Sequence, residues 1–442
     1  MLAYSNDHLK QNHSSILYSN TMSVILTRSL LFVTTATLLV PSAFAIQTVS
    51  STINGTYVIG PEYTADPATE ECLDCERGLT FDLQMPFKDS SYYNCDPDDN
   101  PTLSKNCSNG FCGQTDETQT WRKIGVWIPA SYNDGDETGV MVHTDSNMYD
   151  LQMKMNIMEN LINSNDDERS LPSFIMIGVP SGIGDFETTL SECRNDGGSE
   201  RFNHYETMSD KYARFVADEL FPFVTNHPDI KSKYSNLRIT DDPAGRAAFG
   251  CSHGGVAAFK MAFFRPDLFG IVIAYSTTLV EMKGRPEISE EYPLGNAEFW
   301  VPKPEGQELI KSVPKKPIRI FHSANDWDFG TPNSCGAGQP VLIEFGSKYQ
   351  DWAIANNETA AALTAMGYET RYAYGLDACH CEQQMIAQDL PNTLVWAWAN
   401  WKKKQASTNN DDNGVKDEAS GASFVHGWLT VPILALILIA AL

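Results

Sequence analysis

The chain has 442 residues, with 32 Lys and Arg against 56 Asp and Glu, a formal charge of −24, ten Cys and 42% hydrophobic residues. Such length and apolar content support a sizeable core and exclude wholesale disorder. The acidic balance excludes a nucleic-acid partner: phosphate contacts need clustered Lys and Arg, and Lys402-Lys403-Lys404 is the one short basic run.

Residues 1–21 are polar, and Met22 opens a different pattern. Arg28 is followed by an apolar run from Leu30 to Val40 and then by Ala43-Phe44-Ala45. Small residues at −3 and −1 after a short apolar stretch predict a secretory signal over 22–45, cut after Ala45. The run is shorter than the roughly 20 residues that a bilayer span requires. Export would place the ten cysteines in an oxidising compartment.

Residues 46–118 carry Cys72, Cys75, Cys95, Cys107 and Cys112 among many turn formers. No second CxxC follows Cys72-x-x-Cys75, so a Cys-rich N-terminal extension stapled by disulfides is expected. Regular elements start at residue 119. Thr120–Pro129 and Val140–Val142 read as strands, Leu151–Leu161 as a helix, and the continuous apolar run Phe174–Val179 as a strand covered on both faces. Ser209 is placed to cap a helix. Ala247–Cys251 (strand), Gly254–Phe264 (helix), Ile271–Tyr275 and Ile318–His322 (strands), Ala353–Met366 (helix) and Thr370–Tyr374 (strand) follow. A last helix starts at Pro391. Strands alternating with helices predict an α/β domain over 119–401, with a mostly parallel central sheet and helices on both faces.

Residues 402–420 are polar and read as a linker. Ser420-Gly421-Ala422, a short spacer and the apolar tail Trp428–Leu442 then make 421–442 a C-terminal hydrophobic anchor signal of the GPI type, or a simple tail anchor. The expectation is a protein of the secretory pathway, extracellular or at the cell surface. The sequons at Asn54, Asn106 and Asn357 fit an exported glycoprotein.

The densest chemistry lies at Gly250-Cys251-Ser252-His253-Gly254, a G-x-S-x-G motif between an apolar strand and a helical segment. A sharp strand-to-helix turn there lifts the Ser hydroxyl above the sheet, and the helix N-terminus favours developing negative charge. A serine hydroxyl needs a base, and the base needs an orienting acid. In this fold class the order is Ser, acid, His. The acid should lie just past a strand; Ile318–His322 is followed by Asn325-Asp326-Trp327-Asp328, and Asp326 is preferred over Asp328. His380 follows the next strand and is the expected base.

These residues resemble the putative esterase family of α/β-hydrolases, which includes enterochelin (ferric siderophore) esterases and feruloyl-esterase-like enzymes. The resemblance rests on Tyr205–Phe215, Thr240–Phe264, Phe321–Gly330, Trp352–Tyr368 and His380 ahead of Leu390-Pro391-x-x-Leu394, with a weaker echo at 59–63. It implies an α/β-hydrolase with Ser252 as nucleophile, His380 as base and Asp326 as acid. The oxyanion hole would combine the His253 N–H with that of Ser146, which stands where relatives often carry Gly in Asp-Gly-x-x-Tyr. Ser146 can donate only if its backbone avoids φ > 0. His253, in a slot often Ser in relatives, reads as a helix N-terminal residue.

Cys251, Cys379 and Cys381 crowd the proposed nucleophile and base. Adjacent residues on one loop rarely converge on one tetrahedral ion, so no metal and no cofactor are expected. A disulfide from Cys335 to Cys379 or Cys381 would hold the His loop instead. The implied function is a serine carboxyl-ester hydrolase acting on a small-molecule or carbohydrate-linked ester. An acyltransferase and an inactive binding module of the same fold are the alternatives.

Overall fold

The computed structural model describes residues 54–86, 89–93, 121–146, 151–180, 204–281, 291–328 and 348–414. The expected signal (22–45), the anchor segment (421–442), Cys95, Cys107, Cys112 and the sequon at Asn106 lie outside them. All the described residues belong to one compact unit, Ile46–Leu442.

Among the described residues, ten strands form one sheet: β1 (Gly55–Ile59), β2 (Leu79–Pro86), β3 (Trp121–Ile128), β4 (Glu137–Thr144), β5 (Phe174–Val179), β6 (Arg238–Ile239), β7 (Arg246–Cys251), β8 (Ile271–Tyr275), β9 (Arg319–Trp327) and β10 (Glu369–Cys379). Their order is β1-β10-β9-β8-β7-β4-β5-β3-β2, with β6 beside β4. All pairings are parallel except those that β3 makes with β2 and β5. The α/β class and mostly parallel sheet expected from the strand–helix alternation are therefore present.

β5 shows why these sequences make strands covered twice. Ile175, Ile177 and Val179 enter one apolar cluster, whereas Phe174 and Met176 enter the other. A period of two sends alternate side chains to opposite faces. On the first face lie the helices α2 (His253–Phe264) and α3 (Trp352–Ala365), through residues such as Phe259 and Leu363. On the second lie α1 (Gln152–Ile162) and α4 (Gln383–Gly414), through Met158, Leu394 and Trp398. Trp398 stacks on Phe174 with ring centroids 4.0 Å apart. Each fully buried side chain of this size stabilises the fold by about 1.5–3 kcal/mol.

Three expectations change. Residues 46–118 do not stand apart from the catalytic unit: β1 closes one edge of the sheet by pairing with β10, and β2 closes the other by pairing with β3. Composition hid this because the partners are distant in sequence. Tyr57 of β1 donates to Asp389 Oδ1 (2.5 Å) in α4, and Asp389 Oδ2 accepts from Tyr275 (2.9 Å) and Thr393 (2.8 Å). α4 starts at Gln383 rather than Pro391, and Pro391 lies inside it. The helix also runs through Gly414, into the stretch read as a linker. There Lys402 Nζ donates to Asp167 O (2.6 Å) and Ser170 O (3.1 Å), so the polar residues are tied to the domain surface. Among the described residues, no helix is long and apolar enough to cross a membrane.

Candidate active site

β7 ends at Cys251, and Ser252 turns the chain into α2 with φ 58° and ψ −124°. A left-handed backbone at a non-glycine residue costs about 1–3 kcal/mol, and such strain concentrates where a side chain must be presented. Several bonds hold the turn: Ser252 N–H donates to Tyr275 O (3.0 Å), while Ser252 O accepts from Val256 N–H (3.1 Å) and Thr278 N–H (3.3 Å). The flanking glycines answer a space requirement. A Cβ on Gly250 would stand 2.4 Å from the Gly254 carbonyl, and one on Gly254 would stand 2.8 Å from Thr144 O. The Thr144 hydroxyl, shared between Gly254 O (2.7 Å) and Phe249 O (3.1 Å), fastens the end of β4 to the elbow.

The expected base and the aspartate beside it come from β10 and β9. His380 follows β10, and its Nδ1 lies 2.7 Å from Asp328 Oδ1. The Asp328 carboxylate is fully buried, and its Oδ2 accepts from Asn325 N–H (2.7 Å). Trp352 meets the His380 ring edge-on at 6.0 Å. Asp326 is not the residue on His380. Its carboxylate accepts from Asp377 N–H (2.8 Å) and braces the irregular end of β10, where the register shifts between Gly375 and Cys379. The preference for Asp326 fails because β9 runs on to Trp327, alongside Cys379, instead of ending at His322. The residue just past the strand is Asp328, and the turn that bonds its N–H to Asn325 O (3.2 Å) carries it to the imidazole.

The end of β8 links all three parts. Ser276, left-handed at φ 40°, accepts through Oγ from Cys381 N–H (3.0 Å) and Asn325 Nδ2 (3.1 Å). Asn325 Nδ2 also donates to Cys379 O (2.6 Å). Cys251, before Ser252, is bonded to Cys381, after His380, with Cα atoms 6.0 Å apart. The expected bridge from Cys335 to Cys381 is thus replaced. Cys379 is disulfide-bonded too, and Cys335 lies outside the described residues. All three cysteines around Ser252 and His380 are thus in disulfides. In the N-terminal extension, where disulfides were expected with no pairing legible in the sequence, Cys72 is bonded to Cys75.

On the oxyanion side, His253 opens α2, at the positive end of the helix dipole. The left-handed residue of the β4 loop is Asp145 (φ 57°), not Ser146. The Asp145 N–H is spent on Val179 O (3.0 Å) and Tyr205 Oη (3.1 Å), and Ser146, the next residue of the loop, is buried. The His253 imidazole Nε2 lies 3.3 Å from Glu206 Oε1. Behind it, Asn296 bonds Glu206 and accepts from Lys260 Nζ (2.7 Å), whose pKa burial pushes down to about 8 against the pull of Glu206.

Residues 115–332 match the model of the family described as "Putative esterase". This segment of the chain is similar to that esterase family. It spans Ser146, Ser252, His253, Asp326 and Asp328, and it stops short of His380. The family supports a carboxylic ester hydrolase. No curated protein matches the chain. Among solved structures, the chain is similar to the ferulic acid esterase of the anaerobic fungus Anaeromyces mucronatus, at 14% identity and a TM-score of 0.45, over 76% of this chain and 97% of that one. It is also similar to the enterobactin esterase of Shigella flexneri, at 14% identity and a TM-score of 0.43, over 75% and 61%.

Sequence reasoning missed Ser276 and Asn325. The signal available for Ser276 was weak: Ser276-Thr277-Thr278 follows the apolar strand β8, where polar residues must satisfy backbone groups at the sheet's carboxyl edge.

Proposed function

We propose that this protein is a serine carboxylic ester hydrolase in which Ser252 attacks the ester carbonyl, His380 takes and returns the proton, and Asp328 holds the imidazole. The observation that carries this is the buried Asp328 carboxylate on His380 Nδ1, on a loop bonded through Cys381 to the residue preceding Ser252. With Nδ1–H committed to Asp328, Nε2 is the nitrogen that accepts the Ser252 proton. The positive end of α2 faces the charge that develops on the carbonyl oxygen, and the backbone N–H groups of His253 and Ser146 are its donors. Water then attacks the acyl-enzyme, the proton again passing through His380.

The same reading makes the protein an exported one, with a signal over 22–45 and a C-terminal anchor signal over 421–442. Disulfides at Cys72–Cys75 and Cys251–Cys381 support it, because such bonds persist in oxidising compartments. Labelling of the purified protein with a fluorophosphonate tests the assignment. The wild type should be labelled at Ser252 and the Ser252→Ala variant should not; equal labelling of both would remove the serine mechanism.

A further inference from the structure

β10 and β7 are separated in the sheet by β9 and β8. Three strand spacings amount to about 14 Å. His380 nevertheless has to reach the serine that ends β7, so the chain beyond β10 must double back over the ends of β9 and β8. It does so without regular structure. The β10 ladder breaks between Gly375 and Cys379, Asp377 and Cys381 are left-handed (φ 53° and 55°), and α4 begins at Gln383. Polar ties mark each crossing, among them Asn325 of β9 to Cys379 O, and Ser276 past β8 to Cys381 N–H. The covalent tie comes last, at Cys251 itself.

We propose that the Cys251–Cys381 disulfide is a positioning element of the catalytic site, setting the distance between the His380 imidazole and the Ser252 hydroxyl; this rests on the assignment of those two residues as base and nucleophile. The bond joins the immediate neighbours of both. Asp328 fixes one edge of the imidazole, and the bond fixes the backbone from which the ring extends relative to the backbone that carries Ser252. Without it, the loop keeps its ties to Ser276 and Asn325, the Glu382 N–H to Cys379 O bond (3.1 Å) and the disulfide at Cys379. Loss of the bond therefore displaces the base and leaves β10 and α4 in place. Misplacement by about 1 Å costs on the order of 100-fold in turnover.

The test compares the full-length wild type with Cys251→Ala/Cys381→Ala and with Cys72→Ala/Cys75→Ala, using a p-nitrophenyl ester as probe. In the first variant kcat should fall on the order of 100-fold, with KM within about twofold and the far-ultraviolet circular dichroism retained. The second should match the wild type. The same question is put to the folded wild type with dithiothreitol, which gives two electrons and two protons to the bond, leaves two thiols and becomes a cyclic disulfide. Loss of kcat should follow the fraction of Cys251 and Cys381 alkylated, read by mass spectrometry, and should recover on reoxidation. Retained kcat after that bond is gone, or an equal kcat loss in both double variants, overturns the proposal. A wild type that neither turns over nor is labelled at Ser252 removes the esterase assignment beneath it.

Discussion

The sharpest consequence of the site geometry concerns which aspartate serves His380. Asp328 Oδ1 faces His380 Nδ1 at 2.7 Å, and Oδ2 faces the Asn325 N–H at 2.7 Å, in a fully buried position. Asp328→Asn keeps the shape and removes one acceptor. If the amide oxygen stays on the Asn325 N–H, the NH₂ points at His380 Nδ1, so that nitrogen becomes the acceptor and the proton moves to Nε2. The base then presents a donor to a serine that needs an acceptor. A wrong tautomer of this kind costs about 10⁴ in kcat, or about 5.4 kcal/mol of barrier. Asp326→Asn keeps an oxygen for the Asp377 N–H, so at most one net hydrogen bond is lost, and kcat should stay within about tenfold. Steady-state hydrolysis of an aryl ester by both variants decides between them. Equal losses, or a larger loss in Asp326→Asn, would refute Asp328 as the orienting acid.

Three further outcomes follow from the structure. Gly250→Ala sets a Cβ 2.4 Å from backbone atoms of Gly254 and should lower stability by about 3 kcal/mol or prevent soluble expression; an unchanged thermal midpoint contradicts the packing given for the elbow. Asp389→Ala strips Tyr57, Tyr275 and Thr393 of a shared acceptor and should cost about 3 kcal/mol in urea unfolding; an unchanged unfolding free energy contradicts that role. Burial holds His322 down at about 4 from its ordinary 6.5, with Nδ1 3.1 Å from Asn356 Oδ1. Its neutral form is the one that folds, so its contribution is complete above pH 6.5 and is lost as pH falls through 4, about 3 kcal/mol in all. Stability curves of the wild type and His322→Gln between pH 7 and 4 should diverge by that slope; parallel curves would be against it.

The elbow was legible in the sequence because its causes are local. Gly250 and Gly254 are demanded by atoms within a few residues and by one neighbouring strand, and the serine sits where an apolar run meets a helical one. The acid was half legible. The rule that it follows a strand holds, but Ser323-Ala324-Asn325-Asp326 looks too polar to be a strand. It becomes one because β10 runs parallel beside it as far as Cys379↔Trp327. Only the partner strand could reveal that, and so only the structure separates Asp328 from Asp326. The pairing of Cys381 with Cys251 was illegible for a similar reason. It depends on the loop doubling back over two strand ends, and nothing in the spacing of ten cysteines encodes that path.

The segment read as an extension bears on the site by the same non-local logic. Without β1, the strand that delivers the base would be the edge of the sheet, and edge strands are the least restrained. β1 covers β10 from Gly55↔Arg371 to Ile59↔Gly375, ending where the ladder starts to distort toward His380. Immediately beyond, Tyr63 donates to Leu376 O (2.6 Å), across 313 residues of sequence, and Asp326 takes the next N–H, that of Asp377. The bulge that launches the base loop is thus gripped from both sides, by the N-terminal segment and by the aspartate the sequence rule had favoured. On the proposed assignment, Asp326 acts through the backbone it braces, one step removed from the imidazole that Asp328 holds.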